Sequence, residues 1–412
     1  MLNDGERREE ILETAASLLA SSGIRTSLKE IGEACGILPG SLYHHFESKD
    51  ALIVELVQRY RDQLDEVAER ATASLRDESL TVEQRVVELG EQIAACAVRN
   101  RAALLLTLYE PPATATAELV ELAEQAPTAI TDAMTRLLTS GQGTGDVRGD
   151  VDAPLLAERI CQSMLHVGIG TFHRSQAAKR LPTLKCEVYL HGIAHRAPGD
   201  AALDRSAARR AADVAIATWS DGADEEDRAA LLRSIARTEF GRRGYEATTM
   251  RDVARSAGLS TGTVYRTYRS KDELLVAIME TFSHTFAAAW DAVLTSSGST
   301  IEQLDALLWV NIKLLERFSE EFRIQLAWLR QSPPDSVDLG ALFGTYVNRL
   351  QKLIRAGEQD GSLVPRGASA SIRARSLYEM LLTPEGVVLH AGPDASLALA
   401  RGSVLRGALS RP

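Results

Sequence analysis

The chain has little of several things that would place it at once. Cysteine occurs only at Cys35, Cys96, Cys161 and Cys186 in 412 residues, without the close spacing that zinc sites or a disulfide framework use. Three of the four fall inside helical apolar patterns, the usage of small buried hydrophobes in a reducing compartment. Nowhere do 18 apolar residues run together, so no membrane contact is expected. The opening, MLNDGERREEILETAASLLA, has neither a basic flank ahead of an apolar run nor a small-residue cleavage site, and a cytoplasmic protein is expected. A net charge of −10 argues against a general polyanion binder, although a local basic surface could still meet DNA. Catalytic signatures are missing as well. GQGTGD at 141–146 is glycine-rich but is read as a loop between helices, without the strand of a dinucleotide site. No nucleophile elbow, Walker loop or zinc-protease helix occurs. We therefore assign no catalytic residue and no cofactor. His191 and His195 stand four apart in HGIAH, a spacing that would put both on one helical face, but two ligands are too few for a closed site and no metal is assigned.

What is present is abundant Ala, Leu, Glu and Arg, with a quarter of the residues charged, a composition suited to packed helices. The length exceeds one typical domain, so duplication is the first thing to test. Residues 11–57 and 232–279 repeat one pattern. Gly36, Gly40, Tyr43, Ser48, Lys49 and Asp50 recur as Gly258, Gly262, Tyr265, Ser270, Lys271 and Asp272, all displaced by 222. Upstream of the loop at Thr26 the displacement is 221, so the first copy lacks one residue there.

Each copy reads as three helices. Ile11, Ala15, Leu18 and Leu19 form an apolar stripe at helical spacing, and Gly23 ends that helix. Thr26 or Ser27 caps a short second helix whose Leu28, Ile31 and Ala34 face inward. Gly36 makes the turn; Ala34 and Gly36, like Ala257 and Gly258, let two helices cross closely. Pro39 opens the third helix, which Leu42 and Phe46 anchor. An ordinary three-helix packing motif shares this geometry. The polar outer face separates the two readings: Tyr43, His44 and His45 in one copy, and Thr263, Tyr265, Arg266 and Thr267 in the other, are donors suited to phosphates and base edges. Thr26 with Ser27, and Thr248 with Thr249, put hydroxyls and N–H groups at a helix start, a phosphate-site pattern. Lys49 and Lys271 add charge beyond the third helix. Lys29, Pro39, Gly40, Ser41, Arg251, Ser260, Thr261 and Gly262 complete the candidate DNA-binding set.

At GIRTS and GYEATT, and at GSLYHHFESKDAL and GTVYRTYRSKDEL, the sequence resembles the TetR family of bacterial regulators. The resemblance implies an all-α fold of two tandem units, each a helix-turn-helix domain followed by a helical ligand-binding and dimerisation domain. The expected boundaries are 1–50 and 51–196 for the first unit, 197–224 for a linker with a helix inside it, and 225–272 and 273–412 for the second. It also implies a double-stranded DNA operator, a small-molecule effector and repression relieved by that effector. Because one chain carries two units, we expect a pseudo-dimer within the chain, with a homodimer of chains as the alternative. Apolar walls with a few polar groups suit an apolar or amphipathic ligand, and the candidates are Met164, His166, Phe172 and His173 in the first unit, and Trp290, Trp309, Phe322, Arg323 and Trp328 in the second. Core packing is the competing role for each.

The two heads are not equivalent. From Arg25 to Asp50 the charges are Arg25, Lys29 and Lys49 against Glu30, Glu33, Glu47 and Asp50, net −1. From Tyr245 to Asp272 they are Arg251, Arg255, Arg266, Arg269 and Lys271 against Glu246, Asp252 and Asp272, net +2. Phosphate neutralisation supplies much DNA affinity, so the second head should add more of the non-specific part. Leu38 stands where Ser260 can cap the third helix, leaving that helix start in the first head less well satisfied.

Overall fold

The computed structural model describes residues 4–22, 26–107, 115–169, 180–219, 228–245, 248–328 and 339–410. The protein is all-α in two tandem units, as the sequence implies. Gly23 and Arg25 lie outside the described residues. The first half runs α1 (Asp4–Ser22), α2 (Leu28–Ala34), α3 (Pro39–His45), α4 (Lys49–Ala73), α5 (Val82–Arg99), α6 (Arg101–Leu106), α7 (Ala117–Glu124), α8 (Thr128–Thr144), α9 (Ala153–Ile169) and α10 (Leu181–His191). Two short helices follow, α11 (Asp200–Asp204) and α12 (Ala207–Ala217). The second half is α13 (Arg228–Arg243), α14 (Met250–Ser256), α15 (Thr261–Thr267), α16 (Lys271–Leu294), α17 (Thr300–Arg317), α18 (Ser319–Trp328), α19 (Leu339–Gln359), α20 (Ala370–Leu381) and α21 (Glu385–Ala400), the last kinked at Gly392.

Local signals explain where these helices start and which face they bury. Thr81 and Gln84 form a reciprocal capping box on α5, as Ser299 and Glu302 do on α17, satisfying N–H groups that a helix start leaves open. Val82, Val86, Leu89, Ile93 and Ala97 recur at helical spacing on α5 and are all buried, and that stripe packs on α8 and α9. The four cysteines are buried free thiols; burial, chiefly, pushes Cys161 up to about 12. Among the described residues no helix is long and apolar enough to cross a membrane. Gly141 to Thr144, read as loop, prolong α8 by one turn, and Gly145 ends it at a φ of 85°.

The segment between the halves is packed onto the second one. Ala208 and Ala212, one turn apart, are fully buried where α12 lies on α16 and α17. Asp213 accepts a bond from Trp309 Nε1 at 2.8 Å, and the Arg209 guanidinium stacks 3.9 Å from the Trp309 ring centre. Arg401 is buried in a two-pronged pair with the fully buried Asp305, at 2.7 and 2.8 Å, and also reaches Asp204 on α11.

The halves meet through main-chain hydrogen bonds that come in matched pairs. Ile193 N donates to Val404 O and Ala408 N to Tyr189 O; Ala194 N donates to Leu405 O and Leu409 N to Leu190 O. Arg148 N donates to Ala408 O and Val364 N to Ile193 O, while His195 N donates to Ser362 O and Ser410 N to Asp146 O. Each pair exchanges the roles of the halves. Such bonds need two backbones in near contact, and glycine permits it: Gly192 and Gly407 have φ of 71° and 84°, and a Cβ on Gly192 would lie 2.5 Å from Leu405 O. Gly192 also ends α10, so His195 falls beyond the helix and does not share a face with His191, which instead meets Glu83 at 2.7 Å. A cavity of about 30 Å³ at this junction, lined by Leu184, Val188, Ile354, Leu363 and Leu377 among others, has room for about one water.

Since both the left-handed φ and the backbone contact forbid a side chain, Gly192→Ala is expected to cost at least about 2 kcal/mol of stability. Urea unfolding measures it, and a loss below about 0.5 kcal/mol would contradict this account of the crossing.

Candidate nucleic-acid interface

Both heads are built by the same local devices. On α2, Ser27 accepts from Glu30 N at 3.2 Å and the Glu30 carboxylate accepts from Ser27 N at 2.6 Å. Thr249 and Asp252 repeat this on α14 at 3.2 and 3.0 Å. These bonds hold both carboxyls below the ordinary range, chiefly through the Ser27 backbone N–H for Glu30 and the Thr249 hydroxyl for Asp252. Ser27 is therefore the cap. At both helix starts the cap N–H and the cap hydroxyl are bonded to the chain's own carboxylate. Thr26 and Thr248 are buried, and the Thr248 hydroxyl donates to Glu239 O and Gly244 O.

The turn into the third helix is nearly identical in both copies. Gly36 and Gly258 have φ of 65° and 64°. Ile37 N bonds to Gly32 O and Leu259 N to Ala254 O, each at 2.9 Å, closing the preceding helix in the left-handed manner. Ala34, expected inside, is exposed; Gly32 and Cys35 take the inward positions of α2. The close approach is at Gly32, where a Cβ would come 3.3 Å from Ile37 O, whereas Gly36 is open around its Cβ position.

The third helix is anchored by its apolar side and presents its polar one. Leu42 and Phe46 are buried, as are Val264 and Tyr268. Arg8 stacks 4.5 Å over Phe46, and in the second head Arg233, one helical turn beyond the place that corresponds to Arg8, donates to the Tyr268 hydroxyl at 3.0 Å. Gly40, Ser41 and His44 are exposed with Tyr43, which keeps 56% of its surface. His45 is half-buried 3.5 Å from Asp4. On α15, Ser260, Gly262 and Arg266 are exposed, Tyr265 keeps 48%, and Thr261, Thr263 and Thr267 are half-buried. Ser260 caps α15 through Thr263 N at 3.2 Å, and the Thr263 hydroxyl accepts from Arg266 at 3.0 Å. Leu38, in the same place on α3, makes no side-chain cap and is 78% exposed. Pro39 occupies the first turn of α3.

The charges sort differently from the sequence count. Lys271 donates to Tyr245 O at 2.7 Å and Thr248 O at 3.0 Å and lies over the Tyr245 ring, while Tyr245 donates to Asp272. This lysine therefore clamps the loop between α13 and α14, a role that Tyr245 shares and that sequence reasoning missed. Lys49, half-buried, has its pKa lowered mainly by burial. Lys29 meets Glu33 at 3.6 Å and Arg255 meets Asp252 at 3.2 Å. Arg251, Arg266 and Arg269 remain exposed on the second head.

The candidate ligand residues do not converge on one place. Met164 is buried in the first half, against Gly90 beside Cys186, and His166 is half-buried. Phe172 and His173 lie outside the described residues, as does the Trp328 side chain. Trp290 is fully buried in an aromatic cluster, with ring centres 5.4 Å from Phe286, 5.0 Å from Tyr346 and 6.0 Å from Tyr378. Its Nε1 finds no acceptor among the described residues. Trp309 faces α12, Phe322 is buried, and Arg323 pairs with Glu385 at 2.8 Å. Tyr346 and Tyr378 escaped sequence reading because each sits far along the chain from Trp290.

The chain is similar to several known proteins. The family model described as bacterial regulatory proteins, tetR family, matches residues 11–56 and 232–278. The HTH-type transcriptional repressor KstR2 of Rhodococcus jostii is 32% identical over 150 residues, covering 36% of this chain and 72% of the repressor. KstR2 of Mycobacterium tuberculosis is 45% identical over 71 residues, 15% of this chain and 36% of its own length. Among solved structures, a putative fatty acid metabolism regulator of Clostridium perfringens is 17% identical, with 42% of this chain and 96% of that one covered at a TM-score of 0.37.

The cap difference predicts that Ser260→Ala costs about 1 kcal/mol and that Leu38→Ser gains a similar or smaller amount, measured by urea unfolding at pH 7. Both capping-box carboxyls are depressed, so their contribution is present above the ordinary carboxylate range and fades as pH falls below about 4. The Ser260 difference should not share that pH dependence. An unchanged Ser260→Ala midpoint would sink the cap assignment.

Proposed function

The chain belongs to the tetR family of bacterial regulatory proteins, and from that premise we propose a cytoplasmic transcriptional repressor whose two halves form a pseudo-dimer within one chain and read an asymmetric operator. The observation that carries the pairing is the set of matched main-chain bonds around Gly192 and Gly407, in which each half does for the other what the other does for it. A two-headed reader needs its recognition helices in successive major grooves, about 34–36 Å apart. Two halves joined by a local two-fold can supply that. Tyr43 and Tyr265, exposed on matching helices, are the side chains on which we place most weight, with Gly40, Ser41, His44, Ser260, Thr263 and Arg266 around them.

The half-sites differ because the outward residues differ. His44 stands where the second head has Arg266, and a guanidinium can bind guanine through two parallel bonds. Arg251 and Arg269 give the second head more phosphate affinity. We place the reading heads in residues 1–50 and 225–272, the regulatory parts in 51–196 and 273–412, and the joining segment in 197–224. The repressor role follows the name of the R. jostii relative. A small apolar or amphipathic effector would shift the spacing of the heads by no more than its differential affinity for the two arrangements. The aromatic cluster at Trp290, with an indole N–H lacking a partner among the described residues, is the wall we favour in the second half.

DNA selected from a random pool at fixed salt by the intact protein, and by Tyr43→Ala and Tyr265→Ala, tests this reading. A two-part motif with dissimilar halves is expected, each variant losing one half and roughly ten-fold in affinity. Arg251→Ala should lower the salt slope by about one. A perfect palindrome, or a motif that only a dimer of chains can bind, would reject the intramolecular pair; no motif at all would reject the regulator.

A further inference from the structure

We infer that the surface joining the halves is coded by charge, so that the first half's face fits the second half's face and disfavours a like face from a second copy of this chain. The inference rests on the intramolecular pairing proposed above. The matched bonds define which residues correspond. Arg148 answers to Val364 and Asp146 to Ser362, a displacement of 216 leading into α9 and α20; Tyr189 answers to Val404 and Ile193 to Ala408, a displacement of 215 in the closing segments. By the same displacements Ser163 stands where the second half has Glu379, and Lys185 stands where it has Ala400.

At these two pairs of positions the charge is one-sided. The Lys185 side chain is fully buried, and its Nζ lies 2.7 Å from Glu379 Oε2 across the junction and 3.2 Å from Ser163 O in its own half. On the other side of the local axis, the corresponding positions are Ser163 and Ala400, both uncharged. A junction of two first halves would bury two lysines without a carboxylate. A junction of two second halves would bring two carboxylates together without a lysine. Breaking a buried pair by taking away one partner is strongly unfavourable, because the charge left behind has lost its water.

Arg159 repeats the bias with different chemistry. It is fully buried and donates across the junction to Thr383 Oγ1 at 3.0 Å and Met380 O at 2.8 Å. Its counterpart Arg375 turns to Glu379 at 3.3 Å, and the counterpart of Thr383 is Val167, which offers no hydroxyl. Because Arg375 shares Glu379, the lysine is the stricter of the two charges. Discrimination of this kind works by leaving wrong partners with unpaired buried groups.

Glu379→Ser gives the second half the residue that the first half has at that place, and so reproduces in the full chain the charge set of a first-half pair at this position. Thermal melting of the full chain, Glu379→Ser and Lys185→Met/Glu379→Ser, with sedimentation of each, tests the code. The expected result is a wild type with the mass of one chain, a lowered midpoint for Glu379→Ser, and recovery of most of that loss when Lys185 is also replaced. If the double variant melts no higher than Glu379→Ser, the charge code is wrong while the pairing stands. If the wild type sediments as two chains, the intramolecular pairing beneath it is wrong.

Discussion

Two backbones touching at Gly192 and Gly407 govern everything in this protein above the level of a single half. A side chain at either place would hold the chains apart, and the bonds from residues 193, 194, 408 and 409 would have no acceptor within reach. With glycine there, the ends of the two halves cross closely enough to share main-chain hydrogen bonds. Such bonds are short and directional, so they fix the relative placement of the halves more tightly than apolar packing alone. The heads adjoin the starts of α4 and α16.

Upon this symmetric backbone the side chains have diverged. The capping boxes and the left-handed glycines at 36 and 258 are the same in both heads, because they fold the unit. The surfaces of α3 and α15 are different, because nothing in the folding of the unit depends on them. Leu38 and Ser260 show the division: both begin a third helix, and only one satisfies its N–H groups. The junction shows it again, with matched carbonyls and amides around an unmatched Lys185 and Glu379. Shape makes the halves fit, and charge makes the fit directional.

The heads were legible in the sequence to the level of individual anchors. Leu42, Phe46, Ile31 and Gly36 sit where helical spacing and turn chemistry put them, since a three-helix unit is held by contacts close along the chain. What neighbours decide was less legible. Ala34 is exposed because Gly32 and Cys35 face α1 and α3; His195 left the helix because Gly192 ends it to reach the other half. Lys271, expected beside DNA, is drawn onto the carbonyls of Tyr245 and Thr248. Trp309 resembled a pocket wall, and its partners turned out to be Arg209 and Asp213 on α12.

The sequence by itself determined the helical class, the duplication, the reading heads and their unequal charge, because each of these is written in residue types at short, regular spacing. Only the tertiary structure decided how the halves meet, that Lys185 finds Glu379 and Arg159 finds Thr383, and that Trp290 gathers Phe286, Tyr346 and Tyr378 around it. These contacts join residues up to 224 positions apart. No local period records such distances; they follow from the path of the whole chain and from burial, which makes a charge seek its one partner.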